Sequence, residues 1–306
     1  PPRDMDIGIV GSGPAADAIE AAMADLDARV VDTAEDEFAD VGFCFVVGAT
    51  GASAFGAAAD SEALDRWVAV EIGGVGGHAV DGVDVAVSAF TPTSGCYHCL
   101  QQRVDATTES GGDRSAPTSA VRYAGALAGR RATRILTGED LGGTVVEVDG
   151  AERRFQPVPF CGCSPGRDRL LSLDYRETDL DDAIERAEAA VDERVGMIEQ
   201  VGEQASFPLP YYMAANAGTE GFSDASAAPY AAGAAADWNE AYMKALGEAL
   251  ERYAAGVYRN AEFRQAPATV LDDAVSPDRF VTSDNYDPDP AAERPWVPGL
   301  DLESED

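Results

Sequence analysis

Ile7-Gly-Ile-Val-Gly-Ser-Gly-Pro-Ala-Ala16 starts as a short apolar strand and turns through two glycines into a run that reads as a helix to about Leu26. Ala28-Arg-Val-Val31 follows and ends at Asp32. Strand, glycine turn, helix, strand, acid is the order of a dinucleotide-binding unit. There the glycines Gly11 and Gly13 would let backbone approach a pyrophosphate, and Asp32 would meet a ribose hydroxyl. The same turn also serves sheets that bind nothing, and Ala16 stands where a third glycine belongs. Phe43 to Val47 and Trp67 to Ile72 supply further strands, so the expected class is α/β, a parallel sheet with flanking helices.

Outward from that unit, four of five cysteines fall in two pairs. Cys96-Tyr-His-Cys99 follows a Thr-Pro-Thr-Ser-Gly turn. Cys161-Gly-Cys163 follows Pro157-Val-Pro-Phe160 and a hairpin turned at Asp149-Gly150. Two cysteine pairs in separate loops can close a tetrathiolate zinc site, although one residue between Cys161 and Cys163 is tighter than the usual two to four. Disulfides are disfavoured where the compartment is reducing. His98 lies inside the first pair but is not needed for a four-thiolate shell, and Cys44 in its apolar strand reads as core. Asp105 to Ser119 reads as a mobile surface loop. Arg122, Arg130, Arg131 and Arg134, on a helix from about Ala120 to Leu136, serve either internal ion pairs or an acidic peptide.

Charge narrows the classes of function. Of 306 residues, 55 are acidic and 22 basic, a net charge of −33, and Lys244 is the only lysine. Such a surface stays soluble in molar salt, where the Debye length is about 3 Å, and reads as a cytoplasmic protein of a halophile. It argues against nucleic acid and anionic membrane as partners. Acidic disorder is excluded because 45% of residues are hydrophobic and fall in periodic segments. The uncharged run Val41 to Ala59 reads as a buried strand plus a loop, not a membrane span. Pro1 at the start and Trp296 to Asp306, a strand cut short, read together as a fragment of a longer polypeptide.

Near the end, Asp237-Trp-Asn-Glu-Ala-Tyr-Met-Lys-Ala-Leu-Gly-Glu-Ala-Leu-Glu-Arg-Tyr253 reads as one helix. At about 100° per residue, Trp238, Tyr242, Ala245, Leu246, Ala249 and Tyr253 share an apolar face, and Lys244, Glu248, Glu251 and Arg252 form a polar stripe along its edge. Two carboxylates three apart repel unless a cation sits between them, and hard oxygens at this spacing suit magnesium carrying phosphates. The competing reading is a solvated face in which Glu240, Lys244 and Glu248 make successive i,i+4 pairs.

Lys244 to Tyr253 resembles the signature helix of the YcaO family, in which a Glu-x-x-Glu-Arg segment binds magnesium and the phosphates of ATP. Leu180 to Ala187 and Gly196 to Val201 are similar to that family's opening helix and next strand. Ala183 stands where relatives often carry serine, and Arg176 matches a basic position. The resemblance implies a truncated α+β YcaO domain over 169–306 and an ATP and magnesium site of Arg176, Lys244, Glu248, Glu251 and Arg252. The implied chemistry is ATP-dependent modification of backbone amides in a ribosomal precursor peptide. A nucleophile adds to an amide carbonyl, ATP phosphorylates the oxyanion and phosphate leaves, giving an azoline or a thioamide.

Residues 1–168 in turn look like the Rossmann-like domain related to ubiquitin-activating and ThiF-type enzymes, on the glycine turn, Cys96-Tyr-His-Cys-Leu-Gln-Gln-Arg103 and Cys161-Gly-Cys163. That resemblance implies a zinc held by Cys96, Cys99, Cys161 and Cys163 and a part in presenting the peptide. It leaves a homodimer open. Two other classes remain: a non-catalytic scaffold for the precursor peptide, and an NAD- or flavin-linked oxidoreductase built on Gly11, Gly13 and Asp32. Neither His78 nor His98 offers a general base in the second half, and the catalytic residues stay unassigned.

Overall fold

A computed structural model describes residues 5–24, 26, 28–108, 111–112, 115–148, 150–163, 177–283 and 289–299. The glycine turn links β1 (Asp6–Val10) to α1 (Pro14–Met23), and β2 (Arg29–Asp32) follows. Gly11 has φ 113°, and a Cβ there would overlap the Val47 carbonyl oxygen, so sheet packing alone requires glycine at this position. The chain continues through β3 (Phe43–Ala49), α2 (Ser53–Asp60), β4 (Trp67–Ile72), β5 (Val85–Phe90), α3 (Tyr97–Thr107), α4 (Thr118–Leu136), β6 (Thr144–Glu147) and β7 (Glu152–Arg154).

These strands form one seven-stranded sheet in the order β2-β1-β3-β4-β5-β6-β7. β2, β1, β3 and β4 run parallel, but β4 to β7 pair antiparallel, so the expected parallel sheet is a mixed one. Parallel pairing needs a crossover, usually helical. Between β4 and β5 the chain instead folds through the glycine-rich stretch Gly73 to Gly77, which contains no helix. The stretch after β3 also differs from the expected loop: Ser53–Asp60 is helical. The opening of the expected Asp105 to Ser119 loop belongs to α3.

Strand alternation decides the two faces. Phe43, Phe45 and Val47 meet Val68, Val70, Val85 and Val87 under α1 and α4. Cys44 and Val46 point the other way, into a core shared with α2 and α3. α1 and α4 cross closely: a Cβ on Gly129 would lie 2.6 Å from Ala22 Cβ, and one on Gly125 would lie 2.8 Å from Ala15 Cα. In α4, Arg131 is buried and pairs with Glu152 at 2.9 Å, and Arg134 pairs with Glu139 at 2.6 Å, which favours the internal-pair reading for these two. The β6–β7 hairpin forms as expected, with Asp149 outside the described residues.

The second half starts with α5 (Leu180–Glu188), whose N-cap Asp179 accepts from the Asp182 amide at 2.8 Å. β8 (Ile198–Ala205), β9 (Tyr211–Asn216) and β10 (Tyr230–Ala234) form an antiparallel sheet in the order β10-β9-β8, so the alanine-rich run before residue 236 supplies an edge strand. α6 (Trp238–Ala255) packs on it, and β11 (Arg264–Pro267) pairs with β12 (Glu293–Trp296). Trp296 ends a strand rather than beginning one.

Two things tie the halves together. Val195, Ala217, Phe222, Tyr253 and Val257 join the core beneath the large sheet. Beside them, Arg153 contacts Glu147, Asp192 and Glu193 at 3.2, 2.9 and 2.9 Å, and Arg194 reaches Glu147 at 3.1 Å. Among the described residues no helix is long and apolar enough to cross a membrane.

Candidate functional site

Helix α6 begins where the Asp237 carboxylate accepts from the amides of Asn239 and Glu240 at 2.9 and 3.1 Å. Ala241, Ala245, Leu246, Ala249 and Tyr253 are its buried face. Trp238, expected there, is 44% exposed and leans edge-on against Tyr212, while Ala241 takes the inward position in the first turn. Tyr242 is half-buried, donating to Glu188 at 3.0 Å. Close seating of the helix depends on Gly233 in β10, where a Cβ would lie 2.8 Å from the Lys244 carbonyl carbon.

The polar stripe lies on the open side. Lys244, Glu251 and Arg252 are exposed and Glu248 is half-exposed. Among the described residues the Glu240–Lys244–Glu248 ladder of the competing solvated-face reading does not form. The Lys244 Nζ instead lies 3.5 Å from the Ala234 carbonyl, while Arg252 Nε donates to Glu248 at 2.7 Å. Glu251 has no ion-pair partner among the described residues. Two carboxylates and two cations thus share one solvent-facing strip, a donor set that can hold a divalent cation beside phosphates. Arg176 lies outside the described residues, and Ala183 is half-buried in α5.

The cysteines converge. Cys96 caps α3, and Cys99 lies one turn later on the same side. The proline-rich segment returns from β7, and Phe160 takes φ 67°, which turns Cys161 and Cys163 back toward α3. The four sulfurs lie within 4.8 Å of one another, with neighbouring pairs at 3.9, 3.5, 3.4 and 3.5 Å. Tetrahedral ligation with Zn–S near 2.3 Å needs sulfurs about 3.8 Å apart. The Val158 amide also donates to Cys99 Sγ at 3.3 Å. Sharing a proton with Cys99 holds the Cys96 thiol down to about 4 and, together with burial, pushes Cys99 far up. Burial raises Cys163 to about 12. Cys96 is thus the thiol of the cluster most readily ionised, and a bound soft cation would have to displace the protons of Cys99 and Cys163. His98 turns away to Asp60 at 2.8 Å and Gln101 at 3.1 Å.

Sequence reading passed over two buried groups. Glu71, wholly buried at the end of β4, accepts from Gly76 and Gly77 amides at 2.7 and 2.8 Å and from Tyr97 Oη at 2.8 Å. It thereby fixes the glycine-rich stretch against α3. Arg103, 2% exposed, donates to the Gln156 and Pro157 carbonyls at 3.2 and 3.1 Å and to Tyr253 Oη at 2.6 Å. Its signal was present: an arginine one turn after Cys99, on the helix side carrying Leu100 and Val104. A cleft of about 480 Å³ opens beside it, lined by Arg103, Gln156, Pro157, Arg186, Met197 and Tyr253 among others. In the first half Asp32 is exposed at the end of β2.

Residues 232–306 match the family model described as YcaO cyclodehydratase, ATP- and Mg2+-binding. The match covers about the last quarter of the chain. The matched segment contains the end of β10 and all of α6, hence the whole Lys244 to Arg252 stripe. A solved structure described as a heterocyclase in complex with substrate and cofactor aligns with TM-score 0.60 and 14% identity. The alignment covers 90% of this chain and 43% of that one, so this chain spans less than half its length. At that identity the likeness shows a shared mixed α/β fold. The heterocyclase TruD aligns at TM-score 0.39 and 13% identity, over 63% of this chain and 33% of that one. No curated protein matches the sequence.

Proposed function

We propose that the chain is part of an ATP-dependent enzyme that modifies backbone amides of a ribosomal precursor peptide, by cyclodehydration of Cys, Ser or Thr to an azoline or by thioamidation. The observation that carries this reading is the position of the half-exposed Glu248 and the exposed Glu251 and Arg252 inside the segment that matches the YcaO model. Glu251 and Glu248 would hold magnesium, with Arg252, Lys244 and Arg176 on the phosphates. The Glu248–Arg252 pair is half-exposed, so exchanging partners for a bound ion costs little. Bound ATP supplies the phosphoryl group that makes an amide oxygen a leaving group. The chain's own part is to hold the stripe rigid on β10 and to neutralise phosphate charge with Arg252.

Residues 1–168 would form a ThiF-type part that presents the peptide and 169–306 the opening of the YcaO part, in a cytoplasmic protein. Cys96, Cys99, Cys161 and Cys163 would hold one zinc, as their sulfur spacing permits. The glycine turn would be architectural, since the Gly11 approach to Val47 already accounts for it.

The test is phosphate release stimulated by a Cys/Ser/Thr-rich precursor peptide, in high salt, from the protein that bears this chain. Glu251→Gln should lower the rate sharply and leave the fold intact, because the side chain lies outside the buried face. An unchanged rate in a folded variant ends the reading. Tight peptide binding without any ATP turnover would instead make the protein a scaffold. Metal analysis should find about one zinc per chain, lost in Cys161→Ser.

A further inference from the structure

We propose that Arg103 is a positioning residue that ties the tetracysteine cluster to helix α6, so that metal in the cluster sets the nucleotide affinity of the α6 stripe. The inference rests on reading that stripe as a magnesium-ATP site, and its test separates the two.

Every acceptor of Arg103 belongs to one of the two elements it joins. Gln156 and Pro157 lead into the Cys161 loop, and the next amide, Val158, donates to Cys99 itself. Tyr253 lies one and two residues after Arg252 and Glu251. The guanidinium also stands 6.0 and 5.8 Å from the ring centres of Phe222 and Tyr253. No carboxylate pairs with it among the described residues, in a chain holding 55 acids. A buried cation satisfied only by two carbonyls, a phenol and ring faces is held in a fixed orientation rather than by charge pairing.

A second contact runs in parallel. Arg259, just beyond α6, lies 4.6 Å over the ring of Phe160, the residue before Cys161. The rest of the α6 seat combines the fully buried Leu246 with Gly233, Ala241, Ala245 and Ala249, and the contacts of Arg103 and Arg259 add a polar and cation–π anchor at its C-terminal end. When the cluster's four sulfurs are drawn onto one ion, the segment 156–163 is fixed, its carbonyls hold Arg103, and Arg103 holds Tyr253. The stripe one turn away then keeps its orientation.

The experiment uses the protein bearing this chain, metal-loaded or chelator-treated, as wild type, Arg103→Lys and Tyr253→Phe. Amide hydrogen exchange is followed across α5, β9 and α6, and Mg-ATP is titrated directly beside a KM and kcat measurement. Metal removal and Arg103→Lys should each weaken ATP binding by between about threefold and thirtyfold. Both should speed exchange in the second half of α6 while β9 stays protected, and KM should move more than kcat. Lysine cannot reach three acceptors at once, so chelating the Arg103→Lys protein should add almost nothing further. Unchanged α6 exchange after both perturbations overturns the proposal, as do effects that multiply as if independent. A wild type that binds no Mg-ATP yet shows the coupled exchange removes the nucleotide reading and leaves the mechanical link standing.

Discussion

Gly233→Ala places one methyl group between strand β10 and helix α6. The glycine is not in the left-handed region, so alanine can adopt its backbone conformation. Local propensity alone therefore predicts a gain of about 0.5–1 kcal/mol from a less flexible unfolded chain. Packing predicts the opposite. The new Cβ would overlap the Ala241 carbonyl oxygen and the Ala245 nitrogen, and would lie 2.8 Å from the Lys244 carbonyl carbon, where ordinary contact begins at 3.4 Å. All three are backbone atoms of a hydrogen-bonded helix and cannot swing aside. The helix must back away by roughly 0.6 Å or more, which thins contacts along Ala245, Leu246 and Ala249. Overpacking of this kind costs about 1–3 kcal/mol, so the net loss should be about 1–2 kcal/mol by urea unfolding. The control is Gly247→Ala on the same helix, which meets no atom within 4 Å and should gain up to about 1 kcal/mol. A Gly233→Ala protein as stable as wild type would refute the close seating of α6.

Burial pushes the Glu71 carboxyl above the usual glutamate range, against hydrogen bonds from Tyr97, Gly77, Gly76 and Thr50 that pull it down. The folded state then keeps a proton that the unfolded chain has lost, so this group's contribution is full below about pH 4.3 and fades as pH rises through its folded value. Glu71→Gln should flatten that part of the stability profile, and a slope identical to wild type would contradict the assignment. Arg153→Met leaves Asp192 with only its bonds from the Arg194 and Val195 amides and Glu147 with Arg194 as its ion-pair partner among the described residues, in a junction where Arg153 and Glu147 are each only 9% exposed. It should cost about 2–3 kcal/mol in urea unfolding, and a loss below 0.5 kcal/mol would show that solvent already screens the network. Lys244→Arg keeps the charge and changes only its geometry, so ATP turnover should fall less than in Glu251→Gln; the reverse order would move the phosphate contact onto Lys244.

The sequence alone determined the features that repeat over a few residues. Short apolar runs at Phe43 to Val47 and Trp67 to Ile72 specified strands, while the assignment of successive side chains to the two buried faces came with the folded sheet. Asp237 and the spacing of Ala245, Leu246, Ala249 and Tyr253 specified α6 and left its polar stripe outward. Other features needed the folded chain. Pairing of β4 with β5 in antiparallel sense depends on how the Gly73 to Gly77 stretch packs on Glu71, and α2 hid in a run of small residues with little periodicity. Cys161 and Cys163 stand closer in sequence than ligand pairs usually do, and the positive φ of Phe160 accompanies the turn that brings both to the α3 sulfurs. The bond from Arg103 to Tyr253 spans 150 residues. Period and capping are written in neighbouring residues, whereas such a contact exists only once two elements have been packed together by the cores beneath them.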